Sequence, residues 1–528
     1  MGPIYKSRLP VLFIIAIILV GMVCSCSTNN MPEVLPSASI ADIAHVPSTT
    51  DDLSSPPAPT SEPSSEPSAA SQTAAELSQE MSSAAPTGNA GNSPVKTETQ
   101  TTGSSSLISK ITVTFYGDAS TAKGFAWYTN RDSHSSDVQV VKKTGLAPDF
   151  SQAMTFIGTV AVPRNSPDEL VHKAVATCLA SSTAYYYRVG DAALNIWSKP
   201  GVFTTAPESG PFTFVDLSDT QFAGQAGAKI ASNTISTALE QSGNAGFIIN
   251  NGDIVDNKSE KLWDLLLKNA QSSLMNTTII PASGNHDSGD STFIDHFNLQ
   301  APGKNTSTGA YYSVSYSNAH FVVLNTNESS SDYDEFSNAQ VDWLKADIGA
   351  AKSAGAKWII VVMHIGPYST AEHSADSNVK ATRKKIAPLF NKLGVDLVLQ
   401  GHDHVYERSK PIANGVAAEE SITSEAFNGM AVNYIADPKG TIYLTPGTAG
   451  TKHYYQNAGL SQSYLNLFDV ADGPYKGDPD INNQETFVTV TIDGNMLTAI
   501  AYQMSKTINN GTPYIIDQFG IKKDIPPS

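Results

Sequence analysis

Five short stretches place a residue able to bind a metal directly after an apolar run. They are Ser218-Asp219-Thr220-Gln221, Gly252-Asp253-Ile254-Val255-Asp256, Gly284-Asn285-His286-Asp287, Met363-His364 and Gly401-His402-Asp403-His404. Carboxylate, imidazole and amide oxygen, with no thiolate among them, suit divalent or trivalent first-row metals. The set divides between two ions. Asp253 is the natural bridge; Asn285, His364 and His402 join it on the second metal, and Asp219 and His404 on the first. With a bridging hydroxide the negative ligands total about −3 against +4 or +5 from two metals, and the surplus positive charge suits a phosphate substrate. Ions roughly 3.5–4 Å apart would clamp the phosphoryl oxygens and generate hydroxide for in-line attack on phosphorus. Asp, Asn and Gly are common in turns, so each stretch alone has an ordinary reading. The complete ordered set, with Gly-Asn-His-Asp and Gly-His-Asp-His, does not.

Something must bring together residues that span nearly two hundred positions. From Phe212 onward, apolar strands alternate with helical patterns, the sign of an α/β layered fold. Buried strands are predicted at Phe212-Thr213-Phe214-Val215, Gly246-Phe247-Ile248-Ile249, Thr278-Ile279-Ile280, Trp358-Ile359-Ile360-Val361-Val362 and Asp396-Leu397-Val398-Leu399. Each candidate ligand follows one of them, and in open α/β sheets the functional crevice lies beyond the carboxyl ends of the strands. Ser337 reads as an N-cap, with Val341, Leu344 and Ile348 at helical spacing and Gly355 as a stop. A second helix is expected from about Val379 to Leu393, stopped by Gly394. The alternating stretches Phe487 to Ile492 and Met496 to Tyr502 are expected to complete the second sheet.

The preceding segments differ in kind. Lys6 and Arg8 precede an apolar run from Leu9 to Val23, which fits a signal-peptide core and is short for a membrane span. Residues 27–106 are rich in Ser, Thr, Ala and Pro with hardly an aromatic; such a stretch cannot bury enough apolar surface to offset its ordering entropy. It is expected to be a disordered spacer. From 107 to 207 the pattern has period two: Ile111, Val113 and Phe115, then Phe125 and Trp127, Val138 and Val140, Tyr185 and Tyr187. This predicts a β-sandwich of roughly 100 residues.

A length of 528 residues allows more than one domain, and a net charge of −17 argues against a nucleic-acid backbone as partner. Three cysteines, two of them in the leader, exclude a disulfide framework. Cys178, in an alternating stretch, is expected to be a buried structural thiol.

These motifs resemble those of calcineurin-like metallophosphoesterases, and of the purple acid phosphatase branch in particular. The resemblance rests on Gly401-His402-Asp403-His404-Val405-Tyr406-Glu407-Arg408 and on Met363-His364 after its apolar strand. Val171-His172-Lys173-Ala174-Val175, followed by Thr183-Ala184-Tyr185-Tyr186-Tyr187-Arg188-Val189-Gly190, is similar to the fibronectin-III-like domain that precedes the catalytic domain in that branch. The resemblance implies a four-layer αββα metallophosphoesterase sandwich over residues 208–528, behind an all-β fibronectin-III-like sandwich over 107–207. It implies a two-metal phosphohydrolase, a phosphomonoesterase first and a phosphodiesterase or nucleotidase second. A surface-binding module with a decayed metal site is the alternative of another class.

Two departures from the family pattern concern the first metal. The branch carries a tyrosine three residues after the bridging aspartate, where this chain has Asp256. The broader superfamily has Asp-x-His, where this chain has Asp219-Thr220-Gln221. Gln221 could substitute through its amide oxygen, and Asp256 could approach. Without a tyrosinate donor, Mn, Fe(II) or Zn is expected in place of a stable ferric ion. His286 resembles the histidine that faces the substrate phosphate, as electrostatic stabiliser or acid, with Asp287 orienting it. His373 lies where plant-like members carry substrate-facing histidines, and is either an acid or phosphate contact or a surface histidine. His296, His320 and His172 read as structural. Glu407 and Arg408 read as an ion pair shaping their loop, and Gly447-Thr448-Ala449-Gly450 as a tight turn or pocket wall. Val23-Cys24-Ser25-Cys26 resembles a bacterial lipoprotein cleavage box, with Cys26 the lipid-modified residue of a 1–26 signal peptide; a plain secretory signal or an uncleaved anchor is the other reading. Each of these puts the body outside the cytoplasm, with a phosphorylated small-molecule or surface substrate and the cell wall as a further partner.

Overall fold

The computed structural model describes residues 108–289, 292–303, 306–471 and 484–524. The expected signal peptide with Cys24 and Cys26, and the expected spacer over 27–106, lie outside the described residues.

Among the described residues, two large sheets pack face to face. The first has at its centre the parallel strands Phe212–Leu217, Phe247–Asn250 and Thr278–Pro281. The second contains Tyr312–Tyr316, Ala319–Val323, Trp358–Ile365, Leu397–Gly401, Ile442–Pro446, Tyr406–Ser409 and Phe468–Val470, in that spatial order. Phe214, Phe247 and Phe321 interlock between the sheets, with Phe321 edge-on to both others at 5.3 and 5.4 Å. Helices Gln225–Ser242 and Glu260–Asn269 flank the first sheet. Asn338–Ser353, Ser377–Lys385 and Ala387–Leu393 flank the second. This is the αββα order.

Strand parity aims the site residues. Along Trp358–Ile365 every residue is buried. Ile359, Val361 and Met363 pack with the helices, while Trp358, Ile360 and Val362 pack between the sheets. Successive side chains alternate faces, so His364 continues the inter-sheet row.

The helix after Ser337 forms as predicted, with the Ser337 hydroxyl accepting from the Gln340 amide at 3.2 Å. The single helix expected over Val379–Leu393 is two, Ser377–Lys385 and Ala387–Leu393, broken at Ile386 (φ −102°). Pro388 is the reason: it lacks an N–H and cannot continue a helix across its own position. Gly394 ends the second piece in the left-handed region, φ 63°. The C-terminal strands Gln484–Asp493 and Met496–Ser505 join the first sheet, not the second: Ile492 lies opposite Phe212, and Val488 opposite Asp216.

In the N-terminal region, Ile111, Val113, Phe125, Trp127, Val138, Val140, Tyr185 and Tyr187 form one core between a five-stranded sheet and a second, larger one. One of these sheets does not end at the domain. Ser109–Thr114 pairs in parallel with Thr278–Pro281, Val113 opposite Thr278 and Thr114 opposite Ile279. The sheet therefore runs on from the C-terminal region through Lys123–Asn130, Glu169–Ala176 and Thr159–Ala161. Cys178 is exposed, at φ 56°, so it is not the buried thiol expected.

The junction is also ionic. The fully buried Lys110 ammonium reaches Glu260 at 2.6 Å, Glu169 at 2.7 Å and Asp264 at 3.0 Å, and lies 3.9 Å from the Tyr128 ring centroid. His296 stacks on Trp263 at 4.2 Å and places Nε2 3.1 Å from Glu260. Burial alone would raise the Glu260 carboxyl, but His296 and Lys110 hold it at about 2 against an ordinary 4.5. A depressed acid adds stability that is present above its unfolded value and lost as pH falls through its folded value. Glu260→Gln is therefore expected to lower stability by about 3 kcal/mol at pH 6, with the difference shrinking between pH 4.5 and 2. Denaturant unfolding of both proteins across that range checks it; a pH-independent difference refutes the ionic origin.

Candidate metal centre

Three of the expected ligands sit in a strained backbone. Asp219 (φ 54°), Asp253 (φ 50°) and His402 (φ 75°) all occupy the left-handed region, which costs a non-glycine residue free energy and persists only where neighbours enforce it. The enforcing contacts are visible. The Asp219 amide donates to the Gly252 carbonyl at 3.0 Å, and its own carbonyl accepts from the Thr448 hydroxyl at 3.0 Å. Thr448 belongs to the Gly447–Gly450 turn, which thus packs directly under the first stretch. Two glycines make room. A Cβ on Gly284 would fall 2.0 Å from Asp253 Oδ1, and one on Gly401 2.2 Å from Ser218 Oγ and 2.9 Å from Asp219 Oδ2.

Asp219, Asp253 and His364, all buried, bring their donor atoms within 4.8 Å of one another. His364 Nε2 lies 3.3 Å from Asp253 Oδ1 and 3.1 Å from Asn285 Oδ1, while Nδ1 donates to the Asn251 carbonyl at 3.0 Å. His404 Nε2 lies 3.4 Å from Asp219 Oδ1, and its Nδ1 donates to the Lys452 carbonyl at 2.8 Å. The His364 and His402 rings meet edge to face at 5.2 Å. The five loops thus converge.

The donor set fits a pair of cations. Both Asp219 oxygens, His402 Nε2, His404 Nε2 and both Gln221 amide atoms are buried without a hydrogen-bond partner among the described residues. Buried polar atoms are normally paired, and the unpaired carboxylate oxygens of Asp219 and imidazole nitrogens of His402 and His404 are donors that suit a cation. The electrostatics agree. Burial pushes the Asp219 carboxyl up, to about 8, against the pull of His364 and with the Asp253 charge adding to the rise. Burial acts on Asp253 the same way, but His364 and His286 outweigh it and hold Asp253 well below the carboxylate range. His364 is raised to about 9: burial opposes its proton, and Asp253 and Asp219 overcome burial. Burial lowers His404 to about 3, with the Lys452 charge adding, and lowers His402 well below its usual value, with His364 adding. Burial thus disfavours the charged form of the His402 and His404 imidazoles, which suits ligation, while the facing carboxylates favour it for His364.

The remaining predicted residues divide. His286 is half-buried; its amide donates to Asp253 Oδ1 at 2.9 Å and its Nδ1 to the Asp256 carbonyl at 2.6 Å, leaving Nε2 3.9 Å from Asp253 Oδ2. Asp256 therefore lies against His286, 3.8 Å from its Nδ1 through Oδ1. Asp287 does not orient His286. Its oxygens accept from the amides of Ile254, Val255 and Gly284 at 2.9–3.0 Å, so it holds the turn that carries Asp253. His373 reaches the site: its ring stacks on His402 at 4.2 Å, Nδ1 lies 2.8 Å from Asp376, and Nε2 lies 3.3 Å from the Tyr454 hydroxyl.

Glu407 and Arg408 are not an ion pair. Neighbours in a strand face opposite ways: Glu407 accepts from Thr370 and Thr445, whereas Arg408 binds Asp517 at 2.8 Å and Asp469 at 2.6 Å. His320 pairs with Asp347 at 2.8 Å, and His172 sits buried between Thr129 and Ser136, both structural as expected. Lys452 and Tyr454 were not singled out in the sequence. Their one signal is position, directly after the Gly447–Gly450 turn; the Tyr454 ring lies 4.7 Å from that of His404.

The family model described as calcineurin-like phosphoesterase matches residues 213–406, and that of the purple acid phosphatase N-terminal domain matches 108–205. Purple acid phosphatase 18 of Arabidopsis thaliana is 24% identical over 369 residues, 68% of this chain and 74% of its own length. The Fe(3+)-Zn(2+) purple acid phosphatase 12 of the same plant is 25% identical over 299 residues, 53% of this chain and 59% of its own length. The structure of a purple acid phosphatase from yellow lupin (Lupinus luteus) seeds shares the fold, with a TM-score of 0.62 at 17% identity over 79% of this chain and 75% of its own.

Proposed function

We propose that this chain, which carries a calcineurin-like phosphoesterase domain behind a purple acid phosphatase N-terminal domain, is a metal-dependent phosphoester hydrolase acting first on phosphomonoesters. The observation that carries the reading is the convergence of Asp219, Asp253 and His364 within 4.8 Å, beside buried donor atoms of Asp219, His402 and His404 that lack partners. Asp219, Asp253 and His404, with Gln221 through its amide oxygen, would hold the first ion; Asp253, Asn285, His364 and His402 would hold the second. Two ions of Mn, Fe or Zn would supply Lewis-acid polarisation of the phosphoryl oxygens and a water of lowered pKa. No phenolate stands at position 256, so nothing in this set favours a ferric ion.

The chain's own residues would do the rest. His286, its ring fixed by the Asp256 carbonyl, donates from Nε2 to a phosphoryl oxygen when it carries both protons. His373, supported by the Asp376 carboxylate, gives a proton to the departing oxygen. A water oxygen bonds to phosphorus as the bond to that oxygen breaks. Asp287 acts at one remove, by fixing the turn that aims Asp253. A binding module with a decayed site is disfavoured, because each unpaired buried polar group costs about 1–3 kcal/mol, and a protein with no use for the ions has no reason to retain them.

The leader reading belongs to the same proposal: lipid attachment at Cys26, an extracytoplasmic body, and an N-terminal domain that touches cell wall or supports the active-site rim. No described helix is long and apolar enough to cross a membrane.

Assay of the purified chain with monoester, diester and nucleotide substrates, with Mn²⁺, Fe²⁺ or Zn²⁺ added in turn, tests the reading. Monoester turnover with at least one metal is expected. Diester turnover alone would replace it with the phosphodiesterase reading, and no hydrolysis with any metal would remove the enzyme reading.

A further inference from the structure

The strands Phe212–Leu217, Phe247–Asn250 and Thr278–Pro281 deliver metal-centre residues beyond their carboxyl ends. Around their amino ends, where the two domains meet, lies a cleft of about 470 Å³, a size that suits a small-molecule site. The N-terminal domain contributes Val202, Phe203 and Thr204 to its wall. Opposite in sequence, the hairpin of Ile422–Phe427 and Met430–Ala436 contributes its tip, Phe427 and Asn428. That tip is a two-residue turn with Asn428 at φ 48° and Gly429 at φ 81°, a conformation Asn-Gly favours, and Phe427 is left half-buried beside it.

The polar groups of this wall are unspent. Tyr316 is 4% exposed, its ring packed on Phe212 at 4.8 Å and Phe247 at 4.9 Å, yet its hydroxyl makes no hydrogen bond among the described residues. Gly246 keeps that hydroxyl open, because a Cβ there would fall 2.6 Å from Tyr316 Oη. Thr277, also buried, offers a second unspent hydroxyl, and Asn244 and Asn428 offer amides at the exposed rim. None of the described residues that line the cleft carries a charge. The Lys123 amine stands behind the wall, 2.9 Å from Thr278 Oγ1, but it is fully buried, and burial pushes it well below the ordinary lysine range.

These features select an occupant. A phosphate or carboxylate would enter without a counter-charge, which is costly. A wholly apolar ligand would shut the Tyr316 and Thr277 hydroxyls away from water unpaired, which is costly too. A pyranose ring meets both demands. Its hydroxyl edges pair with Tyr316, Thr277 and the two rim amides, and its C–H face lies on the Phe427 ring. We infer that this interdomain cleft binds a neutral oligosaccharide at a site separate from the metal centre. The inference stands without the hydrolase reading and without the cell-wall reading, and it would give the latter a location. Both domains line the cleft, so an occupant braces their junction.

Calorimetry on the full chain with chitotetraose, cellotetraose and maltotetraose, and with the acidic tetragalacturonate, tests it. Saturable binding of at least one neutral tetrasaccharide is expected, with and without added metal, and none of the acidic one. Tyr316→Phe, which keeps the ring, and Phe427→Ala, at the hairpin tip, should each weaken that binding by about 3–10-fold. Monoester turnover should be unchanged in both variants. If Phe427→Ala fails to fold, Tyr316→Phe decides alone. No binding of any neutral tetrasaccharide, or binding that Tyr316→Phe leaves untouched, would overturn the site. Tighter binding of tetragalacturonate would overturn the neutral class. If the sugar binds with these losses yet no phosphoester is hydrolysed, the cleft stands and the hydrolase reading falls.

Discussion

Asp253→Asn is expected to lower kcat/KM by about 10³-fold or more, equivalent to roughly 4 kcal/mol of transition-state stabilisation, and to cost both metal positions their occupancy. Asparagine tolerates the left-handed backbone at this position better than most residues, so the turn should survive. What changes is charge. Asp253 is the carboxylate within reach of His364 at 3.3 Å and of the His286 amide at 2.9 Å, and it is shared by both proposed ligand sets. An amide there supplies one neutral oxygen and turns an N–H donor toward the other ion. Metal content by elemental analysis, beside kcat on a monoester, checks the prediction; two tightly bound ions in the variant would sink the bridging role.

Asp287→Ala should be the most destabilising single change near the site. Its carboxylate is fully buried and accepts from three amides, those of Ile254, Val255 and Gly284. Removal leaves three buried N–H groups unsatisfied, at about 1–3 kcal/mol each, so a loss of roughly 3–9 kcal/mol is expected. Metal affinity should fall with it, because two of the three amides belong to the residues that follow Asp253. Denaturant unfolding of the metal-free protein separates this from a catalytic role. An orienting partner of His286 would lower kcat at unchanged stability, and that result would restore the sequence-based expectation.

Much of this is legible in the sequence alone. The five stretches were readable because each ligand follows a buried strand, and strand ends in such sheets share one edge. What periodicity could not convey was direction. Asp287 follows His286 in sequence, yet points under the Asp253 turn. Glu407 and Arg408 are adjacent, yet lie on opposite faces of one strand. The helix expected over Val379–Leu393 has unbroken apolar spacing; only Pro388 reveals the break. Gln484–Asp493 and Met496–Ser505 alternate clearly, but alternation does not name a partner, and the free edge of Phe212–Leu217 took them. Lys452 and Tyr454 come to the site through a turn nearly fifty residues beyond His404, and no local pattern marks that.

The parallel pairing of Ser109–Thr114 with Thr278–Pro281 bears on how the two domains can be separated. In the chain they meet at an ordinary boundary; in hydrogen bonds they do not. Cutting the protein near residue 208 would strip a neighbour from Thr278–Pro281 and turn a central strand into an edge. The unpaired N–H and C=O groups would then be open to strands of other molecules. The same cut would leave Glu260 without Lys110. Thr278–Pro281 leads directly to Gly284 and Asn285, so a truncated catalytic fragment would present its stickiest edge on the strand that delivers a proposed metal ligand. A loss of activity in such a fragment would then report self-association and a displaced loop, not a catalytic contribution from the N-terminal domain.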